Sequence, residues 1–226
     1  MIYAISDLHL DITGDKSMEV FGETWANYEN RIRENWLCQV KEDDLVLIAG
    51  DISWALKLEE AEADLRRIES LPGKKILLKG NHDYWWKSLN KISQLGLEDM
   101  EFLQNNSFLY QGYNIGGTRG WNPRDSQDFS DKDEGVFKRE MIRLDLSLSN
   151  FKMGYESIVM IHYPPFNRDG NPNEFHDIMK DYGVKKCIYG HLHAEGLAQV
   201  REGIIDGIEY FCTSADYLSF EAKQII

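Results

Sequence analysis

Cysteine is scarce in this chain and basic charge is in deficit, and each shortage closes off a class of protein. The three cysteines, Cys38, Cys187 and Cys212, are an odd number without close spacing. That argues against a disulfide framework and against a zinc knuckle, and leaves them as small buried hydrophobes. Lysine and arginine number 25 against 38 aspartates and glutamates, a net charge of −13. A surface that coats duplex DNA is therefore not expected, because nonspecific nucleic-acid affinity comes mostly from basic side chains on phosphates. Long apolar runs are also missing: none approaches the roughly 18 residues of a membrane span, and no membrane association is expected. The opening Met1-Ile2-Tyr3-Ala4-Ile5-Ser6-Asp7 lacks the basic region, apolar stretch and cleavage site of a signal peptide. It reads as a strand, and a cytoplasmic location follows by default.

What is present is ample core material, 42% hydrophobic and 12% aromatic residues in 226, with no linker-like stretch. The chain reads as one domain, 1–226. Short apolar runs at 2–6, 45–49, 75–78, 157–161 and 186–189 read as strands of buried type, without strict alternation. Between them, amphipathic spacing predicts helices over 27–40, 56–71, 85–95, 134–148 and 174–182. That order is α/β. Strand-like stretches over 100–115 and 196–214, the latter turning near Gly203 and Gly207, predict mixed sheets. The glycine-rich and then acidic segment 116–133 reads as a long surface loop, and a substrate-side loop is expected at 116–135.

In such sheets ligands gather beyond the carboxyl ends of the strands. Those ends read Ser6-Asp7-Leu8-His9, Gly50-Asp51, Gly80-Asn81-His82-Asp83, His162-Tyr163-Pro164-Pro165 and Gly190-His191-Leu192-His193. Five of the six histidines lie there. One histidine after a strand is usually a structural residue; five at matching positions, with Asp7, Asp51 and Asn81 beside them, point to a site. Mixed imidazole and carboxylate donors suit manganese, iron, zinc, nickel or cobalt better than calcium or magnesium. The number of donors fits two ions better than one.

The series Asp-x-His, Gly-Asp, Gly-Asn-His-Asp, His and Gly-His-x-His resembles the calcineurin-like metallophosphoesterases, from Asp7 to His193. The final Gly-His-x-His, and Asp51 followed by Ile52-Ser53-Trp54-Ala55 rather than a Gly-Asp-x-x-Asp-Arg-Gly block, set it apart from the protein serine/threonine phosphatases. It is closer to the bacterial phosphodiesterase and phosphohydrolase branch. The resemblance implies a four-layer α/β/β/α sandwich with two mixed sheets and the metal site at the strand ends. It also implies two divalent or mixed-valence transition-metal ions, manganese or iron foremost. One would be held by Asp7, His9, Asp51 and His193, the other by Asp51, Asn81, His162 and His191. The expected chemistry is hydrolysis of a phosphoester, a diester of small or medium size, by a metal-bridging hydroxide. His82 is expected to serve the leaving oxygen, with Asp83 orienting its ring. A nuclease for single strands and a non-catalytic metal-binding scaffold are the alternatives.

Weaker candidates surround these. Arg119, among flexible glycines, reads either as a phosphate ligand or as a partner of the acids in the following loop. His176 is expected to be an exposed helix residue. Trp85 and Trp86 are expected to open a helix, one packing and the other near the site. Tyr163-Pro164-Pro165 reads as a stiff turn presenting His162.

Overall fold

The computed structural model describes residues 1–12, 14 and 16–226. Its contacts divide the chain into two compact units, Met1–Phe102 with Thr213–Ile226, and Leu103–Cys212.

The first unit is built on β1 (Ile2–Ile5), β2 (Leu45–Ile48), β3 (Lys74–Leu78) and β4 (Met100–Leu103). The last strand of the chain, Lys223–Gln224, pairs antiparallel to β1 and lies at the other edge from β4. Strands β1, β2 and β3 run parallel, with Ile5 opposite Ile48 and Ile48 opposite Leu77. All four residues of β2 are buried, so both faces are covered and its sequence cannot alternate. Helices α1 (Tyr28–Gln39) and α2 (Leu58–Glu69) supply the connections. Ile32 and Trp36 of α1 and Leu58, Ala61, Leu65 and Ile68 of α2 pack with Val46, Ile48 and Leu77 in one core. These residues recur at three- and four-residue steps, the spacing of one helix face.

The second unit carries β5 (Phe108–Tyr110), β6 (Tyr113–Thr118), β7 (Glu156–Ile161), β8 (Lys186–Tyr189), β9 (Gly203–Ile205) and β10 (Ile208–Cys212), in the order β5-β6-β7-β8-β10-β9. The inner four strands are parallel and the two edge strands antiparallel. The long helix Asp131–Leu148 and the shorter Glu174–Asp181 bury Phe137, Leu144, Phe175 and Met179 with Val159, Ile161, Cys187 and Tyr210. The α/β class and the two mixed sheets flanked by helices are as expected.

Four expectations are corrected. Gly116 and Gly117 lie inside β6, not in a loop: a Cβ on Gly117 would sit 1.9 Å from the Met160 carbonyl oxygen, so glycine marks close strand packing there. The loop proper begins at Arg119 and ends where the Ser130 capping box starts the helix. The helix expected from residue 85 is limited to Leu89–Ile92 and a 3-10 turn, Ser93–Leu95; Trp85 and Trp86 precede it, both buried in the core. Gly203 opens β9 instead of turning, while the turn expected near Gly207 is found, between β9 and β10 at Asp206 and Gly207, both at positive φ. Cys38 is exposed, while Cys187 and Cys212 are buried as expected. Among the described residues no helix is long and apolar enough to cross a membrane.

Candidate metal centre

The expected site residues divide between the units: Asp7, His9, Asp51, Asn81, His82 and Asp83 in the first, His162, His191 and His193 in the second.

In the first unit the segments of β1 and β2 stay hydrogen-bonded to each other past the strand ends. The amide of Asp7 donates to Gly50 O (2.8 Å), that of His9 to Asp51 O (3.0 Å), and that of Leu10 to Ile52 O (3.0 Å). Residues 7–10 and 50–53 thus run side by side. Asp7, His9 and Asp51 all take positive φ, 59°, 46° and 52°. Each costs about 1–3 kcal/mol in a residue with a Cβ, and such strain concentrates at functional sites. All three side chains are buried. The donor atoms of Asp7 lie within 4.8 Å of those of His9 and of Asp51, and His9 Nε2 is 3.9 Å from Asp51 Oδ2. Three oxygen and nitrogen donors so close, in so little water, are disposed to share a cation. Ser6 Oγ donates to Asp7 Oδ2 (2.6 Å), and the buried Tyr28 hydroxyl of α1 donates to the His9 carbonyl (2.7 Å).

The turn after β3 closes on this cluster. A Cβ on Gly80 would stand 2.1 Å from Asp51 Oδ1 and 2.3 Å from Asp51 N, so only glycine admits the aspartate. Asn81 follows, half-buried, and the amide of His82 donates to Asp51 Oδ1 (2.8 Å). The half-buried His82 ring lies 4.6 Å from the ring of Trp54, which in turn stacks on His9 at 4.8 Å and 21°. Trp54 was not legible as a site residue. Its signal was its place in the segment that departs from the protein-phosphatase pattern just after Asp51.

Asp83 does not orient the His82 ring. Its Oδ2 accepts from the amides of Asp51 (2.9 Å) and Gly80 (2.7 Å). Its Oδ1 accepts from Ile52 (2.8 Å), Ser53 (3.2 Å) and Trp85 Nε1 (3.0 Å). One buried carboxylate therefore ties the turn after β3 to the turn after β2. Burial, and next the Asp51 charge beside it, push Asp83 up to about 6 against the pull of those N–H donors.

In the second unit His162 is fully buried beyond β7. Its amide donates to Arg119 O (3.1 Å) and its carbonyl accepts from Gly190 N (3.1 Å), which fixes it between β6 and β8. The His162 and His191 rings are 5.2 Å apart, nearly perpendicular, and Tyr163 lies 4.1 Å from the His191 ring. His191 is a further non-glycine residue at positive φ, 72°. His193 stands just before the 3-10 segment Ala194–Gln199. The guanidinium of Arg119 bridges to Glu140 Oε1 (3.3 Å) and lies over Trp121. Its acid is thus a buried helix residue, also held by Thr118 Oγ1 (2.6 Å) and Arg143, and not one of the loop acids. His176, expected on the surface, is buried with Nδ1 at 2.5 Å from the Tyr210 hydroxyl.

A scan of protein families matches residues 1–195 to the calcineurin-like phosphoesterases. No significant match is found among curated protein sequences. Solved structures share the fold, among them these three. The phosphopantetheinyl hydrolase of Mycobacterium tuberculosis aligns with TM-score 0.61 at 14% identity, over 100% of this chain and 95% of that one. The protein AQ665 of unknown function from Aquifex aeolicus gives 0.53 at 19% identity, over 99% and 94%. TT1561 of Thermus thermophilus gives 0.52 at 12%, over 85% and 81%.

Proposed function

We propose that this chain, which belongs to the calcineurin-like phosphoesterase family, hydrolyses phosphodiesters of small or medium size with two transition-metal ions. Metal-dependent hydrolysis of phosphoric esters is the activity of its family; the diester, the pair of ions and the residue roles are our reading. The observation that carries it is the buried cluster of Asp7, His9 and Asp51 at positive φ, cradled where Gly80 lacks a Cβ. A structural ion pair needs neither three strained residues nor a glycine held against one of its carboxylates.

The residues fit such a centre. We assign Asp7, His9, Asp51 and His193 to one ion and Asp51, Asn81, His162 and His191 to the other. Every donor is nitrogen or oxygen, as manganese and iron accept, with zinc, nickel or cobalt as alternatives. Bound there, the ions would supply an activated water and offset charge on the phosphoryl oxygens. Two dications outweigh two carboxylates, so the neutral Asn81 leaves the centre attractive to an anion although the whole protein is acidic.

The chain's own contribution is His82. Its backbone is fixed by Asp51 Oδ1 and its ring by contact with Trp54. Partly exposed, it is suited to give a proton to the leaving oxygen, a role typically worth about 10²–10⁴ in rate. Replacing His82 with Ala should slow hydrolysis of an alkyl phosphodiester by about 10²-fold or more and of a p-nitrophenyl ester far less, since nitrophenolate needs no proton. Equal losses on both would assign His82 to binding. Single-stranded oligonucleotide belongs in the same screen; preference for it would favour the nuclease reading, and no turnover with both ions bound would favour a scaffold.

A further inference from the structure

The second unit holds a cavity of about 460 Å³ that reaches His191 and Tyr163, a size suited to a small ligand. One wall is the segment 122–129, the other the turn that follows His162-Tyr163-Pro164-Pro165. Both walls are fixed. Arg124 binds Glu134 through two nitrogens at 2.8 Å and also pairs with Glu174, anchoring the first wall to both helices of the unit. The two oxygens of Asp125 accept from the Arg168 amide at 3.1 and 2.9 Å, anchoring the second wall to the first.

Arg168 and Arg201 line this cavity. Arg201 is built into place. The buried Tyr189 hydroxyl accepts from its amide and donates to its carbonyl, both at 2.8 Å. Its guanidinium lies on Gly170, where a Cβ would meet Nε at 2.6 Å. Among the described residues, the guanidinium hydrogen-bonds to the Val200 carbonyl. No carboxylate of the described residues lies within ion-pair distance of either guanidinium, in a chain where acids outnumber bases by 38 to 25. Of the acids on the walls, Asp125 is occupied by the Arg168 amide and Asp133 by Trp121 Nε1 and Ser130, which leaves Asp128 against two arginines.

We propose that this cavity receives a second phosphate, carried by the non-reacting part of the ester, with Arg201 and Arg168 as its ligands. The proposal rests on the phosphoester reading above and adds a substrate class to it: diesters that bear a further phosphate. Guanidinium forks match phosphate oxygens, and an arginine already held by its backbone loses little freedom on binding. Phe129 and Leu192, half-buried on the same cavity, leave an apolar surface for the connecting part of the ligand.

The test uses two probes that differ by one phosphate. Thymidine 3′,5′-bisphosphate and thymidine 5′-monophosphate are titrated calorimetrically into the full-length protein, as isolated and after chelation. The bisphosphate should bind about tenfold tighter or more in both states. Arg201→Met and Arg168→Met should each erase most of that ratio, and Arg201→Lys only part of it. Circular dichroism checks each variant; if Arg201→Met does not fold, Arg168→Met carries the test. Equal binding of the two probes, or a preference that survives both substitutions, overturns the proposal. Binding as expected with no ester hydrolysed would leave this site standing and remove the catalytic reading alone. With active protein, the 3′-phosphate should raise kcat/KM for a thymidine 5′-(p-nitrophenyl phosphate) by the same factor.

Discussion

Replacing Asp83 with asparagine separates a residue that holds the site together from one that tunes His82. The wild-type carboxylate accepts from four backbone amides and the Trp85 indole. If the oxygen of the new carboxamide takes the Oδ1 position, Ile52, Ser53 and Trp85 keep an acceptor. The NH2 group then meets the amides of Asp51 and Gly80, donor against donor. Each buried donor left without a partner costs about 1–3 kcal/mol, so the expected loss is about 2–6 kcal/mol. For a chain of this size that lowers Tm by at least about 4 °C. The measurement is urea or thermal unfolding at pH 8, above the value of about 6 to which burial raises the acid, so that the ionised form is compared. The amide of Asp51 is one of the two that lose their acceptor, so metal content per chain should fall as well. Wild-type stability with a defect confined to alkyl leaving groups would refute this reasoning and return Asp83 to the role of orienting His82.

Other expectations follow from the same geometry. Gly80→Ala introduces a Cβ 2.1 Å from Asp51 Oδ1; Asp51 must move by about 1 Å, a displacement that costs on the order of 10²-fold in rate. Metal analysis beside circular dichroism should show a folded chain with reduced metal content, and full loading would count against Asp51 as a ligand. His176 is held below its ordinary value by burial, with Asp206, Asp177 and Tyr210 around it and Lys180 nearby opposing protonation. A lowered histidine contributes stability above its unfolded value, about 6.5, and loses it as pH falls below. Wild type should therefore weaken more than His176→Gln between pH 7.5 and 5.5 in urea unfolding; parallel curves would refute this.

The elements that were legible are those whose local pattern and tertiary role agree. The buried strands at 45–49 and 157–161 and the helix over 56–71 needed only an apolar run or a three- and four-residue step. The misreadings came where one residue type serves two purposes. Gly116-Gly117 looks like a loop because glycine is usually spent on turns, but here it admits the Met160 carbonyl. Trp85 and Trp86 look like a helical start because both are apolar, but the turn that seats them is fixed by Asp83. His176 looks exposed because its neighbours are charged, while its partner Tyr210 is distant in sequence.

By itself the sequence determined which chemistry was available: imidazoles, carboxylates and one amide set at successive strand ends, readable because a strand's end is a local property. Only the tertiary structure decided what each neighbour does there. That Asp83 serves the backbone rather than His82, that Trp54 stacks on His9, and that Gly80 must lack a Cβ all depend on distances between segments about thirty to forty residues apart or more. Such distances are set by how strands pair in register, and no single stretch of sequence carries them.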